Sequence, residues 1–161
     1  MADNMLTIET LLPRLPRYGR LIGIDLGTKT IGLALSDVER RIASPLETIQ
    51  RVKFTKDVAR MLELATKHEV VAFVIGLPLN MDGTEGPRAQ STKAFIRSCA
   101  PLTQIPFIFW DERLSTAAVT RSLIEQDASR AKRADVVDRM AAAYILQGAL
   151  DRLTFLTKEH P

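Results

Sequence analysis

Apolar residues along the chain fall into short runs with two different periods. Leu21, Ile22 and Ile24 sit in a run from Arg20 to Leu26 that closes on Gly27. Thr30 to Leu35 alternates, with Ile31, Leu33 and Leu35 on one side, and a third extended stretch covers Arg41 to Ile49. Short strands joined by tight connections predict an antiparallel meander. Val58, Met61, Leu62 and Ala65 then follow the i, i+3, i+4, i+7 spacing of a helix, with Thr55 as its cap. Val70 to Ile75 is apolar without a break and ends in Gly76-Leu77-Pro78. A strand apolar on both faces belongs in the middle of a sheet, covered above and below.

A polar loop from Asn80 to Gly86 leads into a helix opened by Pro87, a favourable first-turn residue. Pro106 to Trp110 reads as another buried strand and runs into Asp111-Glu112-Arg113. Ser115 is placed to cap the next helix, with Leu114 and Val119 as a hydrophobic staple. Arg130-Ala131-Lys132-Arg133 reads as a basic connector before a last helix from about Val136 to Leu153. Strands and helices in this order predict an α/β domain with a mixed sheet flanked by helices. Residues 20–155 form that single domain, 1–19 read as a flexible, frayed extension, and 156–161 as a tail.

Composition narrows the chemistry. At 161 residues the chain suits one domain, which buries roughly two thirds of its unfolded surface and needs no staples. Cys99 is the only cysteine, so an internal disulfide and a cysteine-rich metal site are excluded. His68 and His160 are far apart, which argues against a histidine-based zinc site. The 22 basic and 19 acidic side chains leave a net charge of +3, a mild excess that permits a polyanionic partner without demanding one. No apolar run approaches the roughly 20 residues of a membrane span. The first residues lack the basic-then-apolar order of a signal peptide, so a cytoplasmic location is expected.

Ligands of such sheets gather at the C-terminal ends of parallel strands. Asp25 lies inside an otherwise apolar strand there, and Asp111 and Glu112 follow another. Asp138 begins the last helix, with Ala141, Ala142 and Ile145 beside it on one face, small enough to bring that helix close to the sheet. Carboxylates converging within about 5 Å repel by roughly 3 kcal/mol per pair at an effective dielectric near 20. Their pKa values rise or a divalent cation resides among them. Oxygen ligands favour Mg²⁺ or Mn²⁺ over zinc, and two such ions about 4 Å apart suit phosphodiester hydrolysis. Each acid also has a plainer role available. Asp25 can bond its own turn, Glu112 can pair with Arg113, and Asp138 can favour a helix dipole behind an Asp135 cap.

Gly27, Thr28 and Lys29 form a turn whose amides and ammonium can meet a phosphate, although the spacing is not that of a Walker A loop. Asn80 to Arg88 feeds a helix N-terminus, an available anion site or else a plain surface loop. Lys132 and Arg133 can track a nucleic-acid backbone or simply be solvated.

Three stretches together resemble the YqgF/RuvX family. They are Gly23-Ile24-Asp25-Leu26-Gly27-Thr28-Lys29-Thr30-Ile31-Gly32, the long loop Gly76 to Ala89, and Trp110-Asp111-Glu112-Arg113-Leu114-Ser115-Thr116. The last helix fits through Asp138, Ala141, Ala142, Ile145 and Leu146. The resemblance implies an RNase H-like fold, a five-stranded mixed sheet in the order 3-2-1-4-5 counted from the strand at Arg20, with the second strand antiparallel. It implies Asp25, Glu112 and Asp138 as catalytic metal ligands for two Mg²⁺ or Mn²⁺ ions, with Asp111 as second choice to Glu112. Lys29, Asn80 and Arg88 would orient the phosphodiester, and Arg113 would offset surplus negative charge. Where the family usually carries a base this chain has Thr30, so one phosphate contact near the turn is expected to be missing. The implied activity is an endonuclease maturing the 5′ end of pre-16S ribosomal RNA. The alternatives are a resolvase of four-way DNA junctions, acting as a homodimer, and an idle nucleic-acid-binding transcription factor.

Overall fold

A computed structural model describes residues 5–114 and 130–159, with the backbone alone at 5–6, 130–138 and 159. The expected helix at Ser115 and its staple partner Val119 lie outside the described residues. The meander is formed by β2 (Arg20–Leu26), β3 (Thr30–Ser36) and β4 (Ala43–Gln50), after a short β1 (Met5–Leu6). Then come α2 (Phe54–Lys67), β5 (Val70–Leu77), α3 (Pro87–Cys99), β6 (Phe107–Asp111) and α4 (Arg130–Glu159), with a one-turn α1 (Ile8–Leu11) near the start.

The sheet order is β1-β6-β5-β2-β3-β4. Its last five members are the expected 3-2-1-4-5 arrangement, with β3 antiparallel to both neighbours and β5 and β6 parallel to β2. β4 occupies an edge, where Pro45 and a register shift beside it cost no interior ladder bond. Between β3 and β4, Asp37 shapes the turn. Its Oδ1 accepts from the amides of Arg41 and Ile42 at 2.8 and 3.0 Å.

Alternation along the central strands sends residues to two cores. Leu21, Ala72, Val74, Ile108 and Trp110 pack against α4, through Ala142, Ile145, Leu146 and Ala149. Ile22, Ile24, Phe73, Ile75 and Phe107 pack against α2 and α3, through Val58, Met61, Phe95 and Ile96. Thr55 does not cap α2. The helix starts at Phe54, two residues before a Thr55 cap would allow, and the buried Asp57 accepts from the Val52 amide at 3.3 Å.

Both chain ends correct the sequence reading. The expected frayed extension is docked: Met5 and Leu6 pair with Phe107 and Ile108, and Ile8 and Leu11 are buried in the α4 core. Arg40 ties the segment down by donating to the carbonyls of Pro16, Arg17 and Gly19. Apolar residues spaced along that segment need a surface to cover, which the proline breaks had obscured. The last helix begins at Arg130, so the basic stretch Arg130 to Arg133 is helical rather than a connector. Alanine, arginine and lysine are strong helix formers, and no proline interrupts 130–159. Asp135 is therefore not a cap and Asp138 not a first-turn residue. At the other end the helix continues past the expected tail boundary, with Leu156 buried.

Candidate active site

Asp25 is the next-to-last residue of β2 and follows Leu21 and Gly23 onto the face covered by α4. It is only 4% exposed. β2 and β5 run in register, with Ile24 beside Ile75, so Asp25 lies one position on, next to Gly76. A Cβ on Gly76 would stand 3.0 Å from Glu112 Cγ and 3.1 Å from Glu112 Oε1. Glu112 therefore folds back over the glycine, on the same face as Asp25 and across one strand spacing of about 4.8 Å.

Asp111 takes the other side. Phe107 and Phe109 belong to the α2/α3 core while Ile108 and Trp110 belong to the α4 core, so alternation sends Asp111 away from Asp25. Its carboxylate is gripped by Arg113, with Nε at 3.0 Å from Oδ1 and Nη2 at 2.7 Å from Oδ2. The Arg113 hydrogen bonds hold the Asp111 carboxyl below its ordinary 3.8. The guanidinium also donates to the Met81 carbonyl at 3.2 Å. Arg113 thus fastens the Asn80–Gly86 loop to the end of β6 through Asp111.

Gly23 sets the approach of α4. A Cβ there would lie 2.6 Å from Leu146 Cβ and 2.9 Å from the Ala142 carbonyl oxygen. Gln147, further along α4, bonds the backbone at Arg41 and Ala43, near the opposite end of the sheet. The helix therefore runs back along β2, and position 138, one turn before Ala142, falls at the level of the β2 C-terminus. Only its backbone is described. Among the described residues no group of three or more His, Cys, Asp or Glu side chains is assembled. The donor set brought together on this face is all oxygen, from Asp25 and Glu112, and it suits a hard divalent cation.

The groups expected to meet phosphate are spread around the same strand end. The Gly27 amide donates to the Thr30 carbonyl at 2.8 Å, closing the turn that carries Thr28 and Lys29. Arg88, in the first turn of α3, points Nη2 at the Leu26 carbonyl, 3.4 Å away. Asn80 is occupied inside its loop: its amide group donates to Thr84 Oγ1 at 2.9 Å, and its backbone N–H donates to the Thr84 carbonyl at 2.9 Å. Lys132 and Arg133 belong to the first turn of α4. Arg51 was missed in the sequence. Its Nη1 donates to the Gly27 carbonyl at 2.6 Å, against the very turn expected to bind phosphate. The basic pair flanking Val52 was a signal, set between a strand end and a helix start.

A sequence model of the RuvX family, described as a Holliday junction resolvase, matches residues 19–152. The chain belongs to the RuvX family. Among curated RuvX-like relatives, a protein of Methylocella silvestris named "Putative pre-16S rRNA nuclease" is 69% identical over 153 residues, 95% of each chain. One of the same name from Agrobacterium fabrum is 59% identical, over 95% of this chain and 96% of that one. Among solved structures, Thermus thermophilus RuvC in complex with a Holliday junction substrate superposes with a TM-score of 0.52 at 16% identity. That match covers 84% of this chain and 96% of RuvC, and it shows that the RuvX chain has the RuvC-like, RNase H-like fold.

Proposed function

We propose that this RuvX-family nuclease hydrolyses phosphodiester bonds with the help of divalent metal and processes the 5′ end of pre-16S ribosomal RNA in the cytoplasm. One observation carries the reading: a buried carboxylate, Asp25, shares a sheet face with Glu112, which lies over a glycine on the strand between. The names of relatives covering nearly the whole chain support the substrate.

Asp25, Glu112 and Asp138 are the residues that would hold Mg²⁺ or Mn²⁺, in two ions. Such ions, when bound, activate a water and stabilise the departing oxygen of a phosphodiester. The chain's own contribution is placement. Burial of Asp25 fixes its carboxylate against a rigid strand, and the missing Cβ at Gly76 leaves the space that Glu112 fills. Gly27, Thr28, Lys29 and Arg88 orient the phosphate at the strand end. Lys132 and Arg133 follow the backbone of the nucleic acid by charge. Asn80 and Arg113 act one step back, by shaping and anchoring the loop before α3.

Junction resolution is the second reading, favoured by the description of the matching family model. A four-way junction is two-fold symmetric, so that activity calls for a homodimer. Cleavage of a pre-ribosomal 5′ leader RNA and of a four-way DNA junction, side by side with Mg²⁺ and Mn²⁺, separates the two. Trimming of the leader to a defined end is the expected result. Strict preference for the junction, with paired symmetric nicks, overturns the first reading, and undiminished cleavage in excess EDTA removes the metal from both.

A further inference from the structure

The end of β2 divides two surfaces. Asp25 faces α4, whereas Leu26 packs on the α2/α3 side. Past Leu26 the chain turns at Gly27 and Thr28, and behind that turn lies a cleft of about 480 Å³. Its other walls are Arg51 to Phe54, between β4 and α2, and the start of α3 with Arg88 and Ser91. Three cations and one carboxylate, Asp57, line it, so its charge is positive. Asp57 is turned to the Val52 amide. Among the described residues, Arg51, Lys53 and Arg88 have no carboxylate within 4.0 Å.

Arg51 is held without being neutralised. It donates to the Gly27 carbonyl and lies 5.8 Å from the centre of the Phe95 ring. A positioned guanidinium with remaining donors is preorganised for a phosphate oxygen. Walls that carry three cations do not suit an apolar ligand. Distance ties the cleft to the acids: Gly27 is two residues from Asp25, at most about 7 Å along the chain. Phosphates of one strand of a DNA duplex rise about 3.4 Å per nucleotide along the helix axis, and an extended single strand spaces them further apart. A strand crossing the end of β2 from the Asp25 face therefore brings a phosphate roughly one to three nucleotides away into the cleft.

We propose that this cleft is a subsite for a backbone phosphate flanking the cleaved bond, with Arg51 and Lys53 as its charged contacts. The inference rests on the nuclease reading for its occupant, but its test does not require cleavage. The experiment measures binding of a short fluorescein-labelled single-stranded RNA to the full chain in EDTA over a salt titration, with a four-way DNA junction as a second arm. Lys53→Gln is the clean variant, because no side-chain bond of Lys53 occurs among the described residues. It is expected to weaken RNA binding roughly fivefold near 0.1 M salt and to reduce the log–log slope by about 0.7, or about 0.9 on duplex arms. Arg51→Gln combined with Lys53→Gln doubles the change in slope, and Arg51→Lys restores the arginine's share. A slope in the double variant equal to that of the wild type, on both nucleic acids, overturns the subsite. Cleavage by the wild type with Mg²⁺ is followed in parallel. A chain that binds through Arg51 and Lys53 yet never cuts keeps the subsite and loses the nuclease; one that cuts with an unmoved slope does the reverse.

Discussion

Under α4 the sheet presents Gly23 and Gly76, and the helix answers with Ala142 and Gly148, whose missing side chain admits the Trp110 ring. Under α2 and α3 it presents Ile22, Ile24, Phe73 and Phe107, with the two phenylalanine rings stacked at 4.8 Å. Small residues let the α4 backbone come within contact of the strands at Gly23, and on that face Asp25 is buried while Glu112 stays half-buried beside it. Large residues hold the other helices off, and the gap between the α3 N-terminus and the strand ends becomes the basic cleft. One sheet end thus carries the acids on the face of close-packed α4 and a basic cleft on the other face.

The sharpest way to break that comparison is Asp25→Asn. The amide is isosteric and keeps the fold, while cleavage of a pre-ribosomal leader falls by orders of magnitude; a variant as active as the wild type would remove the acid from the chemistry. Next is Phe73→Ala on the opposite face. It leaves a cavity in the densely filled core and costs about 3–5 kcal/mol in denaturant unfolding, and a loss below about 1 kcal/mol would show that this face is loosely packed.

Gly23→Ala tests the close face. Its new Cβ meets a backbone carbonyl that cannot swing aside, so a loss of about 1–3 kcal/mol is expected by thermal unfolding. Gly76→Ala should separate stability from activity. The Ile145 Cδ1 at 2.6 Å is the tip of a flexible side chain and can move, but Glu112 must shift with it. Cleavage is expected to drop roughly tenfold or more with little change in melting, since small misplacements are costly in catalysis. Equal loss in both measurements would make Gly76 a packing residue only.

Arg113→Ala gives the smallest effect and a pH signature. Asp111 has a folded-state pKa below its ordinary value, so its pairing contributes stability above the unfolded pKa of 3.8. That contribution disappears as pH falls through the lower folded value. Wild type and variant should differ in urea midpoint at neutral pH and converge in acid. A difference independent of pH would place the effect in loop packing instead.

Local pattern carried much of this fold. The run at Val70 to Ile75 is a central strand because it is apolar on both faces, and the i, i+3, i+7 stripe of Val58, Met61 and Ala65 is the buried side of α2. The site was legible as far as residue type allowed. An acid inside an apolar strand marked Asp25 as a candidate, whereas only the family resemblance put Glu112 before its neighbour Asp111. Arg51 had no role in the sequence reading, and only the fold lays it against Gly27.

The amino-acid order by itself determined the elements, the acids at their ends and the glycines that admit close contact, because periodicity, propensity and side-chain volume act within a few residues. Tertiary structure alone decided that Glu112 shares a face with Asp25 while Asp111 is taken by Arg113. It alone also decided that 5–11 join the sheet and core, and that Arg51 and Arg88 meet across a cleft. Those outcomes depend on strand register and on partners distant in sequence, which only the folded chain brings together.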